Sequence, residues 1–281
     1  MFIGAIVGFM IKAFATVAAG FTVYSDAEPM VFPAGERHVV PPVASDQVPS
    51  HVLITGADAN DYMSAAMWID YAQRNGNRVT AQIPYLPGAR QDRNVPFGAQ
   101  VYANLINSMN ADRVICFDPH STIMPSLIKN LTIIDCAQVI AATLPTDERN
   151  YVGVIAPDAG AADRAERVAT ALKLPLYQGR KVRDFATGKL SNFECERLPD
   201  AGRLLVVDDI CDGGGTFMGL AQATGLSKER LDLWISHGVF SSRAAQITNA
   251  YGQIFTTDSH PGHSNPDVKA TIIPLAAFLQ P

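Results

Sequence analysis

The sequence predicts an α/β protein made of two tandem doubly wound parallel-sheet domains, and three observations predict it. Short β-branched apolar runs alternate with stretches of helical period from His51 to Ser259. Polar clusters follow these runs, where the carboxyl ends of parallel strands present ligand sites in such sheets. The alternation breaks once, at Leu144 to Asn150, where Pro145, Thr146 and Asp147 interrupt it, so the expected domains are residues 1–146 and 147–281. In chain order, HVLITG reads as a strand, Met63 to Arg74 as an amphipathic helix, RVTAQIPYL as a strand, Ala99 to Asn110 as a helix and RVICFD as a strand. Leu131 to Asp135 is a short strand and Ala137 to Leu144 a helix. A second series starts at YVGVIAPDAG and continues through RLLVVDDI, the helix after Gly215, LDLWISHG and QIFTTDS.

The chain has 281 residues, 48% hydrophobic and 17% charged, enough to bury the cores of two compact domains. A formal net charge of -5 provides no basic field, so nucleic acid is not an expected partner. Cys116, Cys136, Cys195 and Cys211 show neither CxxC pairing nor metal-ligand spacing and read as reduced thiols of a cytoplasmic protein. Phe2 to Phe21 is almost wholly apolar, but it lacks a basic leader and carries Lys12 at its middle. It reads as a short extension, residues 1–9, followed by a first strand, with no membrane partner.

Everything is arranged around RLLVVDDICDGGGTFMGL, Arg203 to Leu220. An apolar run meets two carboxylates, Asp208 and Asp209, and then Asp212, Gly213, Gly214, Gly215 and Thr216 at the start of a helix. Glycines let consecutive N–H groups converge, and a helix N-terminus adds its positive dipole end, so this loop suits a phosphate. The adjacent carboxylates would repel that phosphate and suit sugar hydroxyls or Mg2+ instead. The residues together describe a sugar-phosphate site, against the plainer reading of a strand end and an ordinary turn.

This stretch resembles the phosphoribosyl-pyrophosphate motif of type I phosphoribosyltransferases and ribose-phosphate pyrophosphokinases. A second stretch separates the two. In IPYLPGARQDR, Arg90 and Arg93 flank Gln91 and Asp92 after a strand, and guanidiniums grip polyphosphates bidentately. This segment is similar to the ATP-binding stretch of the pyrophosphokinases, which implies ATP contacts at Arg90, Gln91 and Asp92. Further segments follow in the same order. Phe32 to Glu36 resembles the adenine-contact segment shared across a subunit boundary, which implies ATP contacts at Phe32 and Glu36 and a homo-oligomer, a dimer or hexamer. Asp118 and His120 resemble the pair beside the nucleotide phosphates and Mg2+, and Asp158-Ala159-Gly160 a second metal segment, which implies Mg2+ at His120 and Asp158. Lys181 and Arg183 stand where the mobile catalytic loop carries two cations. The resemblance runs from about Phe32 to Ser259.

What the resemblance implies is diphosphoryl transfer from ATP to the anomeric hydroxyl of ribose 5-phosphate, with Lys181 and Arg183 stabilising charge and Asp208 to Thr216 holding the acceptor. The chain departs from the family at Gly213, where relatives usually carry threonine, and at Ala34, where aspartate is usual. The first departure implies a wider acceptor site, and some phage members of the family are implied to act on ADP-ribose, giving its 1-pyrophosphate for NAD+ resynthesis. A phosphoribosyltransferase would need neither ARQDR nor the first domain, and a non-catalytic regulatory homologue would lose the loop cations. His38, His51, His260 and His263 have no assignment.

Overall fold

The computed structural model describes residues 11–17, 20–23, 28–40, 50–93, 95–144, 149–183 and 190–280, with the backbone alone described within 11–29 and 182–192. The expected extension at 1–9, and residues 184–189 just after the expected cations Lys181 and Arg183, lie outside this set.

The first sheet has six strands. The apolar N-terminal stretch forms β1 (Ile11–Val17) and β2 (Gly20–Val23), an antiparallel pair, and β1 also runs antiparallel to β5 (His51–Ile54). Between them β3 (Glu28–Val31) and β4 (Arg37–Val40) form a separate two-stranded sheet. The parallel part is β5, β6 (Thr80–Gln82) and β7 (Arg113–Phe117), and β8 (Leu131–Ile134) completes the order β2-β1-β5-β6-β7-β8. The antiparallel edge was not legible, because a run apolar throughout carries no sign of strand direction.

Helix α1 (Ala59–Arg74) starts at Asp58, whose carboxylate accepts the Asn60 N–H at 2.9 Å. Its Tyr62, Ala65, Ile69 and Ala72 repeat at helical spacing and are buried, with Trp68 beside them. Helix α2 (Gly98–Ser108) buries Ala99, Ala103 and Ile106, and the short α3 (Ile123–Ser126) buries Met124. Among the described residues no helix is long and apolar enough to cross a membrane.

Helix α4 (Cys136–Thr143) opens the second compact unit, which runs from Ile134 to Gln280; the first takes in Met1 to Ile133. The sequence break at 144–150 placed the division later. The reason is a tertiary contact: Asp135 caps α4 through the Ala137 N–H at 2.8 Å and also pairs with Arg167 at 2.5 Å. Arg167 lies on α5 (Ala162–Leu172), against which α4 packs. No proline or polar run announces such a contact.

The second sheet has seven strands in the order β11-β10-β9-β12-β13-β14-β15: β9 (Tyr151–Ala156), β10 (Leu176–Arg183), β11 (Leu190–Cys195), β12 (Arg203–Cys211), β13 (Leu231–Gly238), β14 (Gln253–Thr257) and β15 (Thr271–Ile273). All neighbours are parallel except β10 and β11, which form an antiparallel hairpin. Leu204 to Val207 of β12 are fully buried, as a central strand covered on both faces requires. Helix α6 (Gly215–Thr224) follows β12 and buries Phe217 and Leu220.

At the amino ends of these strands the sheet is tied by one carboxylate. Asp232, fully buried, accepts the Tyr151 hydroxyl at 2.7 Å, Arg149 Nη1 at 3.0 Å, Arg203 Nη1 at 3.1 Å and the Gln253 N–H at 2.9 Å. Burial, reinforced by Asp232, pushes the Tyr151 phenol far above its ordinary value, so the hydroxyl stays a donor. Asp232→Ala would strand two guanidiniums, and should lower the unfolding free energy by about 3–5 kcal/mol in chemical denaturation; a loss below about 1 kcal/mol would show that the knot is not a stabilising element.

Candidate functional site

The carboxyl ends of β9, β10 and β12 in the second unit bring five charged groups together. Strand β12 does not stop at its two carboxylates, as the sequence suggested, but runs two residues further, paired with β13 through Cys211. The reason is that the alternation survives the acidic pair: Ile210 and Cys211 continue the strand, and Ile210 donates its N–H to Asp209 at 2.7 Å. Asp208 accepts the Asp209 N–H at 2.9 Å. Between the two carboxylates and α5 stands Arg164, buried, with Nη2 3.3 Å from Asp209 and Nη1 3.7 Å from Asp208. The Asp209 side chain is 5% exposed and that of Asp208 14%, so Asp208 is the more open of the two.

Sequence reasoning missed Arg164. The signal was present: it lies on the face of α5 that buries Ala165, Val168 and Ala169, where an uncompensated cation would be costly, so a buried acidic partner was implied.

Asp158 follows β9. One carboxylate oxygen accepts the Gly160 N–H at 2.9 Å and the Ala161 N–H at 3.3 Å, which caps the approach to α5; the other meets Lys181 Nζ of β10 at 2.5 Å. Arg183 ends β10 at a register shift against β11, and its side chain lies outside the described residues.

The glycine loop begins at Asp212, which accepts the Ser241 hydroxyl on its carboxylate and the Ser241 N–H on its carbonyl at 3.1 Å. Ser241 lies just past β13, so the strand-end motif pins the loop. Gly214 has φ 80°, and a Cβ there would press Ile247 at 2.8 Å; the left-handed turn and the close approach both require glycine. At Gly213 and Gly215 an added Cβ would meet nothing within 4 Å. Helix α6 carries no side-chain cap, so N–H groups of its first turn, with Thr216 among them, are left to a ligand or water.

Burial pushes the Asp208 carboxyl well above its usual range; the Asp209 charge adds to this, and Arg164 opposes it.

The remaining expected residues lie in the first unit. Arg90, Gln91 and Asp92 occupy the turn after β6, where Gln91 donates its N–H to the Gly88 carbonyl at 2.8 Å. Arg90 and Gln91 are exposed, whereas Asp92 Oδ2 is buried with no protein hydrogen bond. His120 is exposed just past β7, two residues from the buried Asp118, whose φ is 37°. Phe32 and Glu36 are exposed at the β3–β4 turn, closed by Phe32 N–H to the Glu36 carbonyl at 2.9 Å; the Phe32 ring lies 5.9 Å from His38. His120 and Asp158, the expected metal donors, therefore belong to different compact units. Among the described residues no group of three or more His, Cys, Asp or Glu is placed to hold a metal ion by itself.

Parallel sheets in two consecutive units, the second carrying an acidic pair and a glycine loop at a helix N-terminus, define the type I phosphoribosyltransferase class of fold. The crystal structure of phosphoribosylpyrophosphate synthetase from Mycobacterium smegmatis superposes with a TM-score of 0.72, covering 90% of this chain and 87% of that one at 22% identity. No family model matches the chain. Its sequence is 31% identical over 229 residues to the ribose-phosphate pyrophosphokinase of Bradyrhizobium diazoefficiens, covering 73% of this chain and 68% of the relative. It is 33% identical over 228 residues to that of Agrobacterium fabrum, covering 74% and 70%. The chain belongs to the ribose-phosphate pyrophosphokinase family.

A raised carboxyl pKa favours the folded state at low pH and loses that contribution as pH rises from the ordinary value of 3.8 through the folded value. Asp208→Asn, which cannot ionise, should therefore be more stable than the parent chain to urea at pH 8, with the difference shrinking toward pH 4. A difference that grows on acidification would show that Asp208 is held ionised instead.

Proposed function

We propose that this chain transfers the β,γ-diphosphate of ATP to the 1-hydroxyl of ribose 5-phosphate, giving phosphoribosyl pyrophosphate and AMP. The observation that carries this reading is the pairing of Lys181 with Asp158 in the same unit as the glycine loop, in a chain whose relatives bear the pyrophosphokinase name. The loop Asp212 to Thr216 takes the 5-phosphate on backbone N–H groups, and Asp208 and Asp209 accept from the ribose hydroxyls. Ribose O1 attacks the β-phosphorus in line; the O1–P bond forms, the bond from the β-phosphorus to the α,β-bridging oxygen breaks, AMP leaves with that oxygen, and the O1 proton passes to solvent. No protein nucleophile is needed, so catalysis is positioning and charge stabilisation.

In this reading Lys181 leaves Asp158 for the transferring phosphoryl group, with Arg183 beside it on β10. Arg90, Gln91 and Asp92 hold the nucleotide, with Phe32 and Glu36 at its base, and the buried Asp92 Oδ2 offers an acceptor for a ligand donor. The donor set fits Mg2+, which takes one or two carboxylates and completes its shell with phosphate oxygens and water, so a three-residue protein cage is not required. Asp158 is the candidate donor in the second unit and His120 the candidate donor in the first, and bound Mg2+ would neutralise phosphate charge. The adenine segment at an exposed turn supports a homo-oligomer, and four cysteines outside any disulfide support a cytoplasmic setting.

Gly213 favours a second acceptor. Where relatives usually carry threonine this residue has no side chain, and the space a Cβ would enter is open. A 5-phosphate bearing a further group fits there, which supports ADP-ribose, converted to its 1-pyrophosphate.

Incubation with Mg-ATP and either acceptor, followed by AMP release, tests both readings. AMP should form with ribose 5-phosphate, and Lys181→Ala should lower kcat about 10²–10³-fold. AMP formation confined to ADP-ribose would overturn the first acceptor, and unchanged turnover in Lys181→Ala would remove the lysine from the mechanism. Gly213→Thr should suppress ADP-ribose turnover at least about 10-fold more than turnover of ribose 5-phosphate; equal losses would remove Gly213 from acceptor choice.

A further inference from the structure

Helix α6 contains a glycine where a helix gains nothing from one. Gly219 sits in its interior, a position at which alanine is ordinarily favoured. Space explains it: a Cβ at Gly219 would overlap the Phe193 ring, which is buried at 9% exposure. Phe193 belongs to β11, against which α6 packs.

Phe193 is also the residue directly opposite Lys181 in the antiparallel β10–β11 pair. Residues so paired project to the same face of a hairpin, with Cβ atoms about 4.5–5.5 Å apart. Gly179, two residues before Lys181, shares that face. A Cβ there would meet the Pro157 carbonyl at 2.7 Å and Leu220 of α6 at 2.8 Å. Two glycine notches therefore fix the hairpin. Gly179 lets β10 lie close on the segment that ends in Asp158, and Gly219 lets α6 receive the ring opposite Lys181. The helix that receives the ring is the one whose N-terminus forms the phosphate loop.

We propose that Phe193, set into the notch at Gly219, is a positioning residue that holds Lys181 at Asp158 and in register with the phosphate loop. This rests on the reading of Lys181 as the cation of diphosphoryl transfer. A bulkier residue at 219 would lift the ring, and with it the strand that pairs with Lys181.

The test uses the full chain and two readouts. One is amine-reactive labelling of Lys181, followed by mass spectrometry of its peptide, which needs no turnover; the other is steady-state kinetics with Mg-ATP and ribose 5-phosphate. Gly219→Ala should raise Lys181 labelling several-fold and lower kcat about 10- to 100-fold, with KM for either substrate within about 3-fold. Phe193→Leu in the Gly219→Ala background, which removes the clashing ring, should return both readouts toward those of the parent chain. Labelling and kcat unchanged in Gly219→Ala, or a double variant no better than the single, would overturn the proposal. Should Gly219→Ala fail to fold, Phe193→Leu alone carries the test, since emptying the notch should also raise labelling, and unchanged labelling overturns it. Lys181→Ala separates the two ideas: full turnover in that variant sinks the catalytic role of the lysine, while the labelling result still decides the notch.

Discussion

The second unit depends on how buried charge of one sign is compensated at the carboxyl ends of its strands. Asp208 and Asp209 are consecutive in a central strand, where two carboxylates with no counter-ion would not both ionise. Arg164 reaches both from α5, and Lys181 meets Asp158 from β10. Among the described side chains two cations face three carboxylates, and burial pushes the Asp208 carboxyl toward its neutral form. Such a cluster suits a site whose ligands bring hydroxyl donors and metal-bound phosphates. Apart from this cluster, the uncapped start of α6 offers backbone N–H groups and a positive dipole end, a field that suits a phosphate.

The backbone makes this separation possible. Strand β12 carries the acidic pair within its ladder to β13, and the turn at Gly214 then redirects the chain into a helix. Ser241 closes the turn from the next strand end. Gly213, by contrast, has no packing neighbour within 4 Å of its Cβ position, so the loop can vary there without disturbing the turn.

Much of this was legible in the sequence. The alternation of apolar runs with helical stretches located β5 to β9 and β12 to β14, because parallel strands covered on both faces must be apolar throughout. The glycine turn before α6 was legible for a related reason: Gly214 occupies a backbone conformation that few other residues tolerate. What escaped were features set by contacts distant in sequence. The antiparallel N-terminal edge depends on pairing between Ile11 and Ile54, and the unit boundary on Asp135 meeting Arg167. Arg164 is one of several charges on its helix, and only its burial beside Asp208 and Asp209 marks it as their partner. Gly219 carries a signal of its own, since a glycine inside a helix is itself a sign that something lies close against it.

The knot around Asp232 lies at the other end of the same strands, where β9, β12, β13 and β14 begin. Anchorage and the candidate site thus sit on opposite rims of one sheet. Substitution can then vary that rim, at Gly213 in the loop or in the hairpin, while the far rim keeps the strands in register. A scaffold divided in this way can change what it accepts without first learning to fold again.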